Sequence, residues 1–489
     1  MIIVDDTPES KASTPLLGSA TASGSGDLPP AYAPREDSGL LGSAQVPYSP
    51  HQPIFTQKRA EPAGKRFCKA LLVAVAVWCL VSALAGSFIG EQALGHGYTI
   101  PRDINTGKCV TEWEREVKNS SFPYAVSTTF DFALPSKALL FLSGGKSASG
   151  HLKIQKSENI TTRVQVKVIV NYYQTTARDS AKVCTIRRNK GEIGVGLFTP
   201  TYWRPPIRTD DLSFDVVLTL PHSQSTQYIN GLATEMDNFS HDVDTMNGIL
   251  FGQLRLSATN GHIVTQDIAA EAIALITSDA EITSSLLVAS DAKVRSSNGH
   301  ISGVYNVSNS LELYTTNADI VAAAIVNANH SDPSTKSVSM VTSNGILNAQ
   351  INLGLPDSKP AAFVVETVTT NTDLMTAIVS APFDSSLTVA AQTSNGRAYL
   401  GLPSTYEGRL LASTTNEDTF IKSPQFPDPA CKGHPKCTNR KRSLQVDTII
   451  RGRQGGKGLF DGSVFWDEKN AARSEASVST SNAAVLIVL

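Results

Sequence analysis

The chain has 489 residues, of which 41% are hydrophobic and 18% charged, with a formal net charge of -2. This length predicts two or three folded units, and the near-neutral balance removes nucleic acid as an expected partner. No His-Glu-x-x-His, Gly-x-Ser-x-Gly or complete phosphate loop occurs, so neither an enzyme nor a cofactor is expected.

Residues 1–64 are rich in Pro, Gly, Ser and Ala and poor in large apolar side chains, which predicts a disordered cytosolic tail. Pro29, Pro30 and Tyr32 complete a Pro-Pro-x-Tyr pattern, which WW domains bind as polyproline II with a pocket for the ring. A WW-domain ubiquitin ligase is the partner implied. Glu36, Leu40 and Leu41 follow the acidic dileucine pattern read by clathrin adaptors. Chance matches in a proline-rich tail are the competing reading of both.

Ala70 to Ile89 is a run of twenty residues without formal charge. As a helix it measures roughly 30 Å, so residues 65–90 are expected to form one transmembrane helix. Lys58, Arg59, Lys65, Arg66 and Lys69 crowd its N-terminal side, which predicts a cytosolic N-terminus and a lumenal or extracellular C-terminus. Plasma membrane and vacuole or endosome stay open. Sequons at Asn119, Asn159, Asn238, Asn306 and Asn329 all fall on the outer side and are glycosylation candidates. Cys109, Cys184, Cys431 and Cys437 fall there too, and we expect a short loop closed by Cys431 and Cys437 and a longer link from Cys109 to Cys184.

Residues 91–235 alternate apolar and polar positions, most clearly from Val164 to Tyr172, and predict a β-sandwich-like region. Gly145-Lys146-Ser147 is a fragment of a phosphate loop, but Leu140 stands where that loop needs glycine.

Residues 236–489 carry a repeat, a Ser/Thr-Ser/Thr-Asn/Asp step ending at Asp279, Asn298, Asn317, Asn344, Asn371, Asn395 and Asn416, with Asn260 a near match. Six residues before these positions stand Leu254, Ile273, Ala292, Leu311, Val338, Val365, Val389 and Leu410. Three residues after come Ile263, Ile282, Ile301, Ile320, Leu347 and Leu374. Two short strands flanking a fixed polar turn predict an all-β solenoid in which equivalent residues stack about 4.8 Å apart. A β-sandwich with regular hairpins is the alternative. Residues 424–442 read as an insertion, and Val478 to Leu489 restates the motif as a capping coil.

The turns at Thr342 to Gly345 and Thr393 to Gly396, with partial matches at Ala258 to Gly261 and Ser296 to Gly299, resemble the putative adhesin domains of bacteria and fungi. The resemblance implies a β-solenoid without catalytic residues, in a fungal-type, single-pass membrane member.

Two residues after the motif Asn/Asp, four successive coils present His262, Glu281, His300 and Asp319. Such a column could hold a divalent metal, but a solvent-facing turn of alternating charge explains it without one, and no metal is expected. The functional expectation is a glycosylated surface or endomembrane protein that binds a cell-wall polysaccharide or a protein. The alternative is a trafficking protein working through its tail, and a polysaccharide-acting enzyme ranks third.

Overall fold

The computed structural model describes residues 91–489 apart from 95–96, 116–121, 135–136, 158–162, 189–190, 202–211, 222–224, 328–333, 355–360, 432–439 and 452–455. The described chain is almost entirely β.

Each coil contributes one strand before the polar turn and one after it, and like strands stack in parallel. The first column runs through Ile249–Ser257, Ile263–Ile276, Ile282–Arg295, Ile301–Tyr314, Lys336–Val341, Ala362–Val368 and Ser386–Gln392. The second uses the leading halves of the three long strands and continues through Ile320–Asn327, Leu347–Gly354, Leu374–Ser380 and Ala398–Gly401. The register is the one the repeat requires. Leu254 pairs with Ile273, then Ala292, Leu311, Val338, Val365 and Val389, while Ile263 leads to Ile282, Ile301, Ile320, Leu347 and Leu374. All are buried, so the core is two files of aliphatic side chains along the stack.

Inward parity slips twice in the regular coils. In Ile263–Ile276 the buried residues are Ile263, Thr265, Ile268, Ala270, Ile273 and Leu275, with steps of three after Thr265 and after Ala270. Each slip places two successive residues outward and bends the strand into a corner.

The turn is held by two hydrogen-bond files. Asn317 Nδ2 donates to Asn298 Oδ1 at 2.6 Å, Asn344 to Asn317 at 2.7 Å and Asn371 to Asn344 at 2.6 Å. The first Ser/Thr of the motif is buried and donates to a carbonyl of the preceding coil, as Thr315 Oγ1 does to Gly299 O at 3.2 Å and Thr342 Oγ1 to Ala318 O at 2.9 Å. Gly261, Gly299, Gly345 and Gly396 follow the motif Asn in alternate coils. A Cβ there would stand 1.6 to 1.8 Å from the carbonyl oxygen beneath, which belongs to Phe239, Ala280, Ala318 or Thr372.

Several expectations are corrected. The β-sandwich-like reading of 91–235 fails because Ala138–Gly144 and Ser149–Ser157 are parallel members of the same two columns. Alternation reports a half-buried strand and does not distinguish parallel from antiparallel neighbours. The fold class with one transmembrane helix is likewise not supported. Among the described residues no helix is long and apolar enough to cross a membrane, and the run 70–89 lies outside them.

At both ends the stacking order departs from chain order. The coil of Ala138–Gly144 and Ser149–Ser157 lies between the strands Glu192–Phe198 and Leu212–Pro221 on one side and Gln227–Glu235 and Asn238–Val243 on the other. At the far end Ser474–Thr480 and Val485–Val488 lie between the coil of 386–401 and the coil of Gly408–Thr414 and Thr419–Lys422. The last residues are therefore an inserted coil, not a cap. Antiparallel strands cover the ends: Lys182–Arg188 and Ile104–Cys109 in front, Gly458–Phe465 and Ser443–Ile450 behind. Such strands keep the edge of the parallel stack from standing open.

Candidate functional site

The slip after the second buried pair builds a corner from successive coils. Its outward residues are Asn230 in one coil, Gly252 and Gln253 in the next, then Glu271 and Ala272, then Ser290 and Asp291. Two adjoining recesses of about 760 and 360 Å³ follow this corner. Both are lined by Gln253, Ala272 and Asp291. The first continues to Lys137 and Tyr228, the second to Lys293 and Glu312. Two small residues, Gly252 and Ala272, line the first recess among longer polar side chains.

Tyr228 is 49% exposed, and its hydroxyl donates to Glu271 Oε1 at 3.3 Å. Partial desolvation, then the Glu271 charge, raise the hydroxyl above its ordinary pKa. The ring crosses the intervening coil at Gly252, where a Cβ would lie 2.5 Å from the Tyr228 oxygen. Glycine is needed here for close approach. Further along, Asn309 Nδ2 donates to Asp291 Oδ1 at 2.7 Å, and the Ser310 hydroxyl donates to the same oxygen. Lys293 Nζ lies 3.1 Å from Glu312 Oε2, with Arg295 on the other carboxylate oxygen. Partial burial opposes ionisation of Glu312, but these two cations outweigh it and hold its pKa below the ordinary value. The groove thus offers amides, carboxylates and hydroxyls at coil spacing, beside one aromatic ring.

A second cleft of about 460 Å³ lies beside Ser143, Gly144, Gly145 and Lys146 and is also lined by Glu235 and Asp237. Ser147 is fully buried, and the Glu235 carboxylate is taken by Arg188 Nη2 at 2.7 Å.

The sequence-predicted residues are scattered. Cys109 and Cys184 form a disulfide between the adjacent antiparallel strands at the front end. Cys437 lies outside the described residues, whereas Cys431 ends a short 3-10 helix. Asn238 is the first rung of the turn ladder, accepting from Asn260 Nδ2 at 2.6 Å, and Asn306 Oδ1 accepts from Asn327 at 3.0 Å. Asn119, Asn159 and Asn329, the WW-ligand residues Pro29, Pro30 and Tyr32, and the dileucine residues Glu36, Leu40 and Leu41 lie outside the described residues. His300 Nδ1 stands 3.7 Å from Asp319 Oδ2 and accepts the Asp319 backbone N–H at 3.3 Å. Among the described residues no group of three His, Cys, Asp or Glu is placed to hold a metal.

Sequence reasoning missed Tyr228, Gln253, Glu271 and Asp291. The available signal was two successive polar or small residues between apolar pairs, recurring with the repeat.

No family model and no curated protein matches this chain. Solved structures similar to it include a putative cell adhesion protein from Clostridium sporogenes, 8% identical, covering 74% of this chain and 99% of that one with a TM-score of 0.16. A putative adhesin from Bacteroides fragilis is 9% identical over 74% of this chain and 97% of that one, with a TM-score of 0.21. A putative lipid binding protein from Parabacteroides distasonis is 9% identical over 57% of this chain and 90% of that one, with a TM-score of 0.22. All three are bacterial, and none supports the expected fungal-type membrane member; the structural neighbours are proteins named for adhesion or lipid binding.

Proposed function

We propose that this chain is a non-catalytic binding module whose corner groove, from Lys137 and Tyr228 to Glu312, engages an extended polysaccharide on the outer side of the cell. The observation that carries the reading is the Tyr228 ring fixed over Gly252 at the head of a row of polar side chains. An aromatic face packs against the apolar face of a sugar ring, while amides and carboxylates bond its hydroxyls. Coils recur about every 4.8 Å, close to the length of one pyranose unit, so a linear glycan along the stack meets equivalent groups repeatedly. The Cys109–Cys184 disulfide supports an oxidising compartment. Glu271 and Asp291 are engaged by neighbouring donors, which favours holding a ligand over proton transfer.

The test is binding of the full chain to purified cell-wall glycans. Tyr228→Ala and Glu271→Gln should each weaken binding by roughly tenfold, about 1.4 kcal/mol, with an unchanged melting temperature. Undiminished binding by both variants would remove the groove from the reading, and release of reducing ends from the glycan would show an enzyme instead.

A further inference from the structure

The inserted coil at the far end points to a way in which two copies of this chain can join. We propose that the arm formed by Ser443–Ile450, Gly458–Phe465, Ser474–Thr480 and Val485–Val488 is exchangeable, each copy of a dimer donating its arm to the other's stack.

The first observation is the order of the coils. Val389 and Leu410 occupy equivalent positions in chain-consecutive coils, yet each pairs with Ala476, which comes between them in space. The turn ladder follows the same detour: Asn482 Nδ2 donates to Asn395 Oδ1 and Asn416 Nδ2 to Asn482 Oδ1, each at 2.6 Å. Thr480 Oγ1 donates to Gly396 O at 3.0 Å, and Thr414 Oγ1 to Ala483 O at 2.9 Å. Ala476, Val478, Val485 and Ile487 fill the aliphatic files and are buried. The slot is therefore specified on both sides by the same repeat, and any segment with this sequence satisfies it, whichever chain supplies it.

The second observation is that one short turn of the stack adds a cluster of side-chain bonds to this strand pairing. Glu407 is 1% exposed. Its carboxylate accepts from the backbone N–H of Trp466 at 2.8 Å and of Asp467 at 2.9 Å, from Asn470 Nδ2 at 2.9 Å and from Arg473 Nη1 at 3.3 Å. Trp466 Nε1 donates to Ser404 O at 2.9 Å, and Arg442 Nη2 donates to Tyr406 O at 2.9 Å. Each bond joins the stack, up to residue 422, to the arm, and each is remade unchanged when the arm comes from a partner.

The third observation is the connection. Ser423, Pro424, Gln425, Phe426 and Pro427 are all exposed, form no helix or strand, and link Lys422 of the stack to the buried Asp428 at the base of the arm. Two prolines keep this link extended and without two of its N–H donors, so it does not fold back onto the sheet. Because the two forms make the same contacts outside an exposed link, exchange is a low-cost route to a dimer.

The experiment uses the full chain carrying Arg409→Cys with Ser463→Cys, opposed residues on antiparallel strands of stack and arm. Monomer and dimer are separated by size exclusion after concentration, oxidised, and run without reductant beside the unsubstituted chain as control for other cysteines. Exchange predicts covalently joined pairs from the dimer fraction and single chains from the monomer fraction. Single chains from the dimer fraction, or no dimer up to the highest soluble concentration, would overturn the proposal. In the unsubstituted chain the dimer should outlast dilution and separate only when denaturant releases the arm. Dissociation immediately on dilution has the same overturning force.

Discussion

The middle of the stack and its front end use the same two columns of parallel strands but hold them together differently. From Ile263 to Asn317 each coil sits on the one before it in sequence, and neighbouring turns are tied by Asn or Asp side chains and buried hydroxyls. In front, coils are stacked out of chain order, the ladder stops at Asn238, and large side chains such as Phe141, Phe198, Phe214 and Phe239 fill the core. In the middle an identical short motif suffices, and the out-of-order coil at the far end keeps it; in the front, bulk and a disulfide replace repetition. The middle should therefore respond sharply to a single residue of its file, and the front to the chemistry of its individual buried groups.

The largest effect is expected in the middle. Ile301 is fully buried between Ile282 and Ile320, so Ile301→Asp places an unpaired charge in an aliphatic file. The cost is several kcal/mol, of the order of a domain's whole stability. Loss of the cooperative thermal transition is the expected result, and a transition like that of the wild type would remove the importance of the file.

Next comes acid sensitivity where front meets middle. His241 is fully buried and pairs in register with Ile263. Its Nδ1–H donates to Phe239 O at 3.1 Å and its Nε2 accepts from the Thr234 hydroxyl at 2.9 Å, while Thr234 Oγ1 takes the Ser257 N–H at 3.0 Å. This circuit is complete only for the neutral ring. Burial, with smaller contributions from the nearby His151 and His262, lowers the pKa from 6.5 to about 4. Above pH 6.5 both folded and unfolded chains hold the ring neutral and nothing is lost. As pH falls below 6.5 the unfolded chain takes up the proton first, and stability declines until the folded ring also protonates, a loss of about 3 kcal/mol by pH 4. Urea midpoints at pH 7, 5.5 and 4.5 should fall in the wild type and fall less in His241→Asn. Parallel curves for the two proteins would assign the acid sensitivity to other groups.

This contrast also explains which parts of the fold the sequence revealed. The register of the middle could be read because a solenoid requires the same residue types in the same order in every coil, and Leu254 to Val389 and Ile263 to Leu374 meet that requirement. The front could be read only as alternation, since Val164 to Tyr172 looks the same whether its neighbours are parallel or antiparallel. Out-of-order stacking is a property of connections such as 402–407, which carry no periodic signal. The groove escaped because a corner appears as a slip in parity, which interrupts the pattern used to find strands. The buried role of Thr277, Thr315 and Thr342 escaped for a related reason: a hydroxyl satisfied by a carbonyl of the coil below is polar in sequence but packed in space.

The smallest effect concerns the turn column His262, Glu281, His300 and Asp319, where the middle's regularity is on view but does little. The His300 side chain is 62% exposed, and its polar partners are the Asp319 carboxylate and the N–H of the same residue. A polar contact so exposed contributes little after screening and side-chain entropy. His300→Ser, next to the critical Ile301, should therefore change stability by no more than about 0.5 kcal/mol. A chelator should leave the melting temperature of the wild type where it was. The pairing of the two neighbours is the informative part: away from the corners adjacent residues of a stacked coil face opposite ways, so one step along the chain should separate the largest effect from the smallest. If His300→Ser proved as damaging as Ile301→Asp, or if a chelator lowered the melting temperature, the column would have to be reread as an ion-holding file.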